Sequence, residues 1–351
     1  MKIIKYLFIF SLLFISKTLL SNNKDKDSLI YYENLSHKLL VTTGINSTFS
    51  NLTITKRGYK ELSIKPLGQV SLTAGFVYKW LGLELGIGLP PNQIDINTKG
   101  NTSKLDLQLN IYSSRIGGDL FFQHYTGFHL DNPKSLTTWK SDTLPQLPDM
   151  EQFTVGSTAF YIFNHKRFSY SAPYVGNAKQ LKSAGSLLGG IFFNLDAAGS
   201  DGGFVPLDSL LKTARDSFPI YSYNSASYGI SIGYSYTLVL FKSCFVNLTL
   251  MPGIGEKRIN METFNLDSGV VKTKTVATTK GFASRLMFRA AVGYEINNFI
   301  IGSSYYLSQG TIAMKNFEFQ PGLGSFRIFI AKRFGVNKNS EKTKEHNKTN
   351  K

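Results

Sequence analysis

The feature that most constrains this chain is a two-residue alternation of apolar and polar side chains, sustained over unusually long runs. Leu105, Leu107, Leu109 and Ile111 share one parity, and Asp106, Gln108, Asn110 and Tyr112 share the other. The same pattern places Val70, Leu72, Ala74, Phe76 and Tyr78 against Gln69, Ser71, Thr73, Gly75 and Lys79. It recurs at Leu81, Leu83, Leu85, Ile87 and Leu89, and at Tyr228, Ile230, Ile232, Tyr234, Tyr236 and Leu238. Successive side chains of a strand point to opposite faces, so each segment is a strand with one apolar and one polar face. The best runs cover about 10 to 14 residues, which suits a tilted membrane strand better than the five or six usual in globular sheets.

Such strands have two homes. In an exported soluble sandwich or a lipocalin-like binder the apolar face meets another sheet; in a transmembrane barrel it meets lipid and the polar face lines the lumen. The start of the chain indicates export. Lys2 and Lys5 precede an apolar stretch from Tyr6 to Ile15, and Ser21 stands before a polar run, so residues 1–21 read as a secretory signal peptide. No later segment reaches the roughly 18 apolar residues of a membrane helix. Cys244 is the only cysteine among 351 residues, so no intramolecular disulfide can form, and zinc or thiol chemistry has no support.

The rhythm of the connections favours the barrel. Short links at Trp80/Leu81, Ser113/Ser114, Asn164 to Lys166, Phe241/Lys242 and Asn297/Asn298 alternate with long polar ones near 51–65, 91–101, 127–151, 196–222, 255–280 and 310–320. Short periplasmic turns and long outer loops are the bacterial arrangement. The last strand, with Phe326, Ile328 and Ile330 alternating with Arg327, Phe329 and Ala331, closes on Phe334, the kind of end that barrel-assembly machinery reads. The expected fold is therefore all-β: a closed antiparallel up-and-down transmembrane β-barrel of about 12 strands over residues 37–334. Residues 22–36 form a short periplasmic segment before it, and 335–351 a polar disordered periplasmic tail. The stretch 167–195 contains two strand-like pieces, Phe168 to Val175 and Ser183 to Asn194. Two full strands there would break the alternation, so one spans and the other is a bulged extension or folds into the lumen.

Several runs resemble a known family. Tyr78-Lys79-Trp80-Leu81-Gly82, Leu105-Asp106-Leu107-Gln108-Leu109, Gly118-Asp119-Leu120-Phe121-Phe122-Gln123 followed by Tyr125-Thr126-Gly127-Phe128, and Phe168-Ser169-Tyr170 with Gln180 and Lys182-Ser183-Ala184-Gly185-Ser186 are similar to the Bacteroidetes domain of unknown function 4421. The resemblance runs from about Tyr32 to Phe334. It implies an outer-membrane-type barrel from a Gram-negative bacterium of that phylum, and it brings no catalytic residues.

Chemistry is then sought on the polar face. The candidates for lumen charges are Glu84, Asp106, Arg115, Asp119, Arg285, Arg289 and Arg327, with Lys79, Lys104 and Glu295 at the same parity. Glu84, Asp106 and Asp119 lie on three consecutive strands and the arginines, apart from Arg115, on strands near the other end. One reading is a transverse field across a narrow pore that orients a small polar solute. The other is a salt-bridge network that fills a small barrel.

The formal net charge of +16 does not imply nucleic-acid binding. Lys2, Lys5 and Lys17 lie in the leader, five lysines crowd the tail against Glu341 and Glu345, and no basic stripe or zinc-finger spacing exists. An enzyme is not expected. His124 on the outer rim, sharing a face with Thr126, is the one candidate for a lipase-type site, and it lacks a recognisable acid partner. The expected role is a narrow channel or a structural or binding component of the Gram-negative outer membrane, exported by its cleaved signal. Its partners would be outer-membrane lipid, the assembly machinery during insertion and a small polar solute. No cofactor or metal is expected.

Overall fold

The computed structural model describes residues 30–267, 270–314 and 316–335. The leader 1–21 and the tail beyond residue 335 lie outside them. Fifteen strands are found in chain order: β1 (Tyr32–Asn34), β2 (Leu39–Lys56), β3 (Leu62–Pro66), β4 (Gln69–Tyr78), β5 (Leu81–Gly88), β6 (Ser103–Tyr112), β7 (Ile116–Leu130), β8 (Gln146–Ile162), β9 (Ala178–Gln180), β10 (Ala184–Gly199), β11 (Ile220–Leu240), β12 (Cys244–Asp267), β13 (Val270–Ile296), β14 (Phe299–Met314) and β15 (Phe317–Phe334). Four short helices sit in the connections: α1 (Gln93–Lys99), α2 (Pro133–Leu136), α3 (Ser171–Tyr174) and α4 (Lys212–Ser217).

Twelve of the strands form a ring. Each pairs antiparallel with its neighbour in the order β2, β4, β5, β6, β7, β8, β10, β11, β12, β13, β14, β15, and β15 returns to β2 from Phe317↔Lys56 to Phe334↔Leu39. Closure gives every strand of the ring a neighbour on both sides. The tight turns carry their strain in recognisable places: Lys79, Phe241, Lys242 and Asn297 all have φ between 52° and 62°. Positive φ at a two-residue turn matches the right-handed twist of the flanking strands. The first of these turns is Lys79 and Trp80, one residue earlier than the sequence reading placed it.

Within 167–195 only β10 joins the ring. The segment Phe168 to Val175, which includes α3, folds into the lumen, and β9 after it pairs with β1. The lumen alternative of the sequence reading is the one adopted.

The strands continue beyond their expected ends. The stretch near 255–280, read as a loop, is a hairpin in which β12 and β13 stay paired from Cys244↔Tyr294 to Asp267↔Val270. The reason lies in which side is apolar. On β12, Leu248, Leu250 and Ile254 face outward and are exposed, whereas Glu256, Arg258, Asn260 and Glu262 occupy the same parity further along. Inward, Asn247 and Thr249 give way to Ile259 and Met261. A loop-like polar sequence is here a strand whose outer face has changed character. The ring thus has two storeys: a belt with apolar side chains outside, and an outer storey with apolar side chains inside.

The outer storey is closed by a different route. β3 pairs with β2 at Leu52↔Ile64 and with β7 at Ile64↔Leu130, so it bypasses β4, β5 and β6, which end below it. Into this narrower ring the β10–β11 connection inserts Phe204, Val205, Leu211 and Phe218. They pack with Leu52, Ile54, Leu130, Ile220, Ile259 and Phe319 from strands all round the ring, and each of these is 0–1% exposed. Asp149 holds the insertion, accepting hydrogen bonds from Ser200 Oγ at 3.0 Å and the Asp201 amide at 2.6 Å. Among the described residues no helix is long and apolar enough to cross a membrane.

Candidate functional site

The belt storey supplies the polar interior. β5, β6 and β7 carry Glu84, Asp106 and Asp119 inward, and β13 and β15 carry Arg285, Arg289 and Arg327. The acids and arginines do not face one another across an open space. Arg289 Nη2 lies 3.0 Å from Asp119 Oδ1, with both side chains buried, and the Tyr112 hydroxyl joins both groups. Arg327 pairs with Glu84. Arg289 also lies under the Tyr306 ring, 4.7 Å from its centroid, and Arg327 under that of Phe329 at 4.5 Å. These pairs follow the salt-bridge reading of the lumen charges and not the transverse field, because the ring is narrow enough for β13 and β15 to reach the β5 and β7 walls.

Two candidates differ from these. Among the described residues Arg285 has no carboxylate partner in ion-pair range; its Nε donates to Ser308 Oγ at 3.0 Å and its Nη1 to Thr158 Oγ1 at 2.7 Å. Asp106 accepts from Tyr125 Oη at 2.8 Å and Gln123 Nε2 at 3.1 Å. Arg115 is not a lumen residue. It sits exposed in the turn between β6 and β7, where parity no longer assigns a face.

A further buried pair joins Glu295, which the sequence reading placed inward, to Arg333, which it did not. Arg333 and Glu295 are 2% and 5% exposed; Arg333 Nη1 donates to Glu295 Oε1 and Nη2 to Oε2 at 3.4 Å. Arg333 Nε donates to the Gly176 carbonyl at 2.9 Å, which fixes the lumen segment to the end of β15. Arg333 shares the parity of Arg327, six residues earlier on β15, and this is the signal in the sequence that places it inward. Gly176 itself has φ of 75°, and a Cβ there would meet Ile300 Cδ1 at 3.0 Å. Only glycine fits that turn.

The lumen segment fills the inner end of the ring. Phe168, Tyr170 and Tyr174 pack against Tyr112, Phe160, Met251 and Met287, and Tyr174 with Val175 against Leu40, Val77, Ile300 and Phe329. Tyr174 Oη also meets Thr249 Oγ1 at 3.1 Å. Between this packing and the outer core lies a chamber of about 700 Å³. It is lined by Thr73, Glu84, Lys104 and Asp106 from β4, β5 and β6 and by Tyr306 and Arg327 from β14 and β15, among others from β2, β7, β13 and the lumen segment.

At the rim, the structure gives His124 the acid that the sequence did not reveal. Glu151 Oε2 lies 3.7 Å from His124 Nε2, with both side chains exposed, because the register sets Thr126 opposite Glu151. In the outer storey, Arg215 on α4 is buried with its guanidinium over the Phe264 ring at 5.2 Å; burial lowers its pKa and Asp216 opposes that. Among the described residues no cluster of three or more metal-ligating side chains occurs.

The model of the family described as Domain of unknown function (DUF4421) matches residues 25–334. The chain belongs to this family. The family's description assigns no activity. A search of curated protein sequences finds no match. Among solved structures, the chain is similar to the outer membrane protease OmpT from Escherichia coli, at 8% identity and a TM-score of 0.41, over 85% of this chain and 97% of that one. It is also similar to the outer membrane protein OprG from Pseudomonas aeruginosa, at 10% identity and 0.26 over 85% and 96%. A third is Ail, the attachment invasion locus protein of Yersinia pestis, at 11% and 0.17 over 84% and 98%.

Proposed function

We propose that this DUF4421 protein is an outer-membrane barrel that is closed to through-flow and acts as a binding component of the membrane. The observation that carries the reading is that side chains from all round the ring meet across the lumen at two levels, at the outer core and at the lumen segment. Of the charges between those levels, Arg289 and Asp119 are paired and buried, and Arg327 and Glu84 are paired and half-buried. This favours the filled interior over the narrow pore. The exposed belt supports the membrane over the soluble sandwich: Ile87, Ile191, Ile230 and Phe282 are 80%, 62%, 64% and 65% exposed, and a water-soluble binder would leave so large an apolar surface wet.

Reconstitution in a planar bilayer tests the reading. The native protein is expected to give no steady conductance, and a variant with the lumen segment shortened between Phe168 and Val175 is expected to conduct. Steady conductance by the native chain would overturn it. The protein is read as non-catalytic. Hydrolysis of a lipid ester by the native chain, lost in His124→Ala, would overturn that part.

A further inference from the structure

The joint between β5 and β6 is the shortest in the ring. It holds two residue pairs, Leu81↔Ile111 and Gly82↔Asn110, where the other neighbouring strands of the ring share eight or more. Continued, that register would bring Leu83 opposite Leu109 and, five steps on, Gly88 opposite Lys104; neither strand makes those pairs. Unpaired backbone at membrane depth is tolerated where it lines a cavity. The seam does so. The chamber of about 700 Å³ is lined by the outward Leu85, Leu107 and Leu120 as well as by the inward Arg289 and Tyr306, so the void runs through the wall. Beyond Glu84, which turns to Arg327, β5 has no side chain to close it from within, because its inward positions are Gly86 and Gly88. A Cβ at Gly86 would meet Thr73 Cγ2 no closer than 3.4 Å, and one at Gly88 only Gln69 Oε1, at 3.8 Å.

Several polar atoms behind the seam lack hydrogen-bond partners. Arg289 Nε, Tyr306 Oη and Thr73 Oγ1 belong to side chains at least nine-tenths buried and have none among the described residues; Arg327 Nε has none either, on a side chain 16% exposed. The Lys104 ammonium has three hydrogens and directs them to Thr48 Oγ1 at 3.2 Å and the Gln69 carbonyl at 3.1 Å, leaving one. Among the described residues on these walls, the donor-only buried atoms without a partner are Arg289 Nε and Arg327 Nε, against Asn46 Oδ1 as the one acceptor-only atom; the Tyr306 and Thr73 hydroxyls can do either. Donors inside and leucines at the lips suit a molecule with an anionic head and one alkyl chain.

We propose that the β5–β6 seam is a lateral portal through which a single-chain anionic amphiphile enters the chamber from the membrane, its head beside Lys104, Arg289 and Arg327 and its chain between the leucines. The inference rests on the closed-lumen reading, because an axially open barrel would need no side entrance. The test is binding to the native full-length protein in phosphatidylcholine nanodiscs, with radiolabelled lauric acid, lauroyl lysophosphatidylglycerol, butyric acid and dodecanol as probes. Saturable binding of laurate, of the lysolipid or of both is expected, and which of them binds identifies a free acid or a lipid as the source.

Gly86→Trp is expected to weaken that binding at least tenfold by filling the seam, and Lys104→Gln about tenfold by removing a head contact. Gly88→Phe replaces Gly86→Trp if the latter loses the heat-modifiable migration of a folded barrel. Butyrate or dodecanol binding as tightly as laurate, or full binding by a folded seam-filled variant, overturns the portal. Steady conductance of the native chain overturns the closed lumen while leaving the laurate result to be read by itself.

Discussion

The two ends of β12 are built on opposite plans. Near Leu248 and Leu250 the outward face is apolar and the inward face is Asn247 and Thr249, 0% and 1% exposed and bonded to Ser235, Thr237 and Tyr174. Past Gly255 the outward face is Glu256, Arg258 and Asn260, and Ile259 and Met261 turn into a dry core. One strand thus serves two solvents. At the change, Gly255 stands opposite Gly229, and a Cβ on either would lie 2.2 Å or less from the other strand's backbone oxygen. The close approach of two glycines marks the level at which the storeys meet. What differs is the source of order. Above, the hydrophobic effect packs the interior; below, hydrogen bonds and ion pairs fill it, and each group left unpaired is costly.

The sharpest way to break the comparison is to put a charge on the wrong side of the upper storey. Ile259→Asp places an unpaired carboxylate in a core where Ile259 is fully buried. A loss of about 4–5 kcal/mol is expected. Arg258→Asp, one residue away and facing out, is expected to stay within about 0.5 kcal/mol. Urea unfolding in bilayers, followed by cold-detergent migration, measures both; equal effects would mean that the storey is not inverted.

The lower storey is tested by unpairing. Arg289→Met leaves Asp119 buried without its cation and is expected to cost about 3–5 kcal/mol. Adding Asp119→Asn to that variant removes the uncompensated charge and is expected to restore most of the loss. If the double variant is no more stable than the single one, the pair is not the coupled unit that their 3.0 Å contact describes.

Twelve strands and their order were legible because alternation survives wherever one face meets an apolar phase. The ends of β12 and β13 were not, because Glu256 to Glu262 and Lys272 to Lys280 carry the polar composition of a loop. Their inward partners Ile259 and Met261 were the surviving signal, on the opposite parity from the belt. The lumen charges were legible one by one. Parity places Asp119 and Arg289 inward, but which acid meets which arginine depends on the width of the ring and on closure through β15, quantities that no local pattern carries. Arg115 was misplaced for the converse reason, since a turn has no parity. The open seam between β5 and β6 left no trace, because both strands alternate as though paired.

The smallest effects locate the border between the storeys. Lysine on the lipid face of a barrel costs about 2–4 kcal/mol at mid-membrane and about 0–1 kcal/mol near an interface. Along one face of β12, Leu250→Lys, Ile254→Lys and Glu256→Lys step outward from the belt across the Gly255 level. The expected costs fall in that order, from the upper part of this range to no measurable change. Inward substitutions cannot give this profile, since they report packing and hydrogen bonding at both levels. If Glu256→Lys instead costs as much as Leu250→Lys in the bilayer, the belt extends past Gly255, and the polar outer face of the hairpin would have to lie in the membrane, where its exposed charges would go unsolvated. A steep fall between Leu250 and Glu256 places the bilayer surface at the glycine pair, where the chain itself changes its inside for its outside.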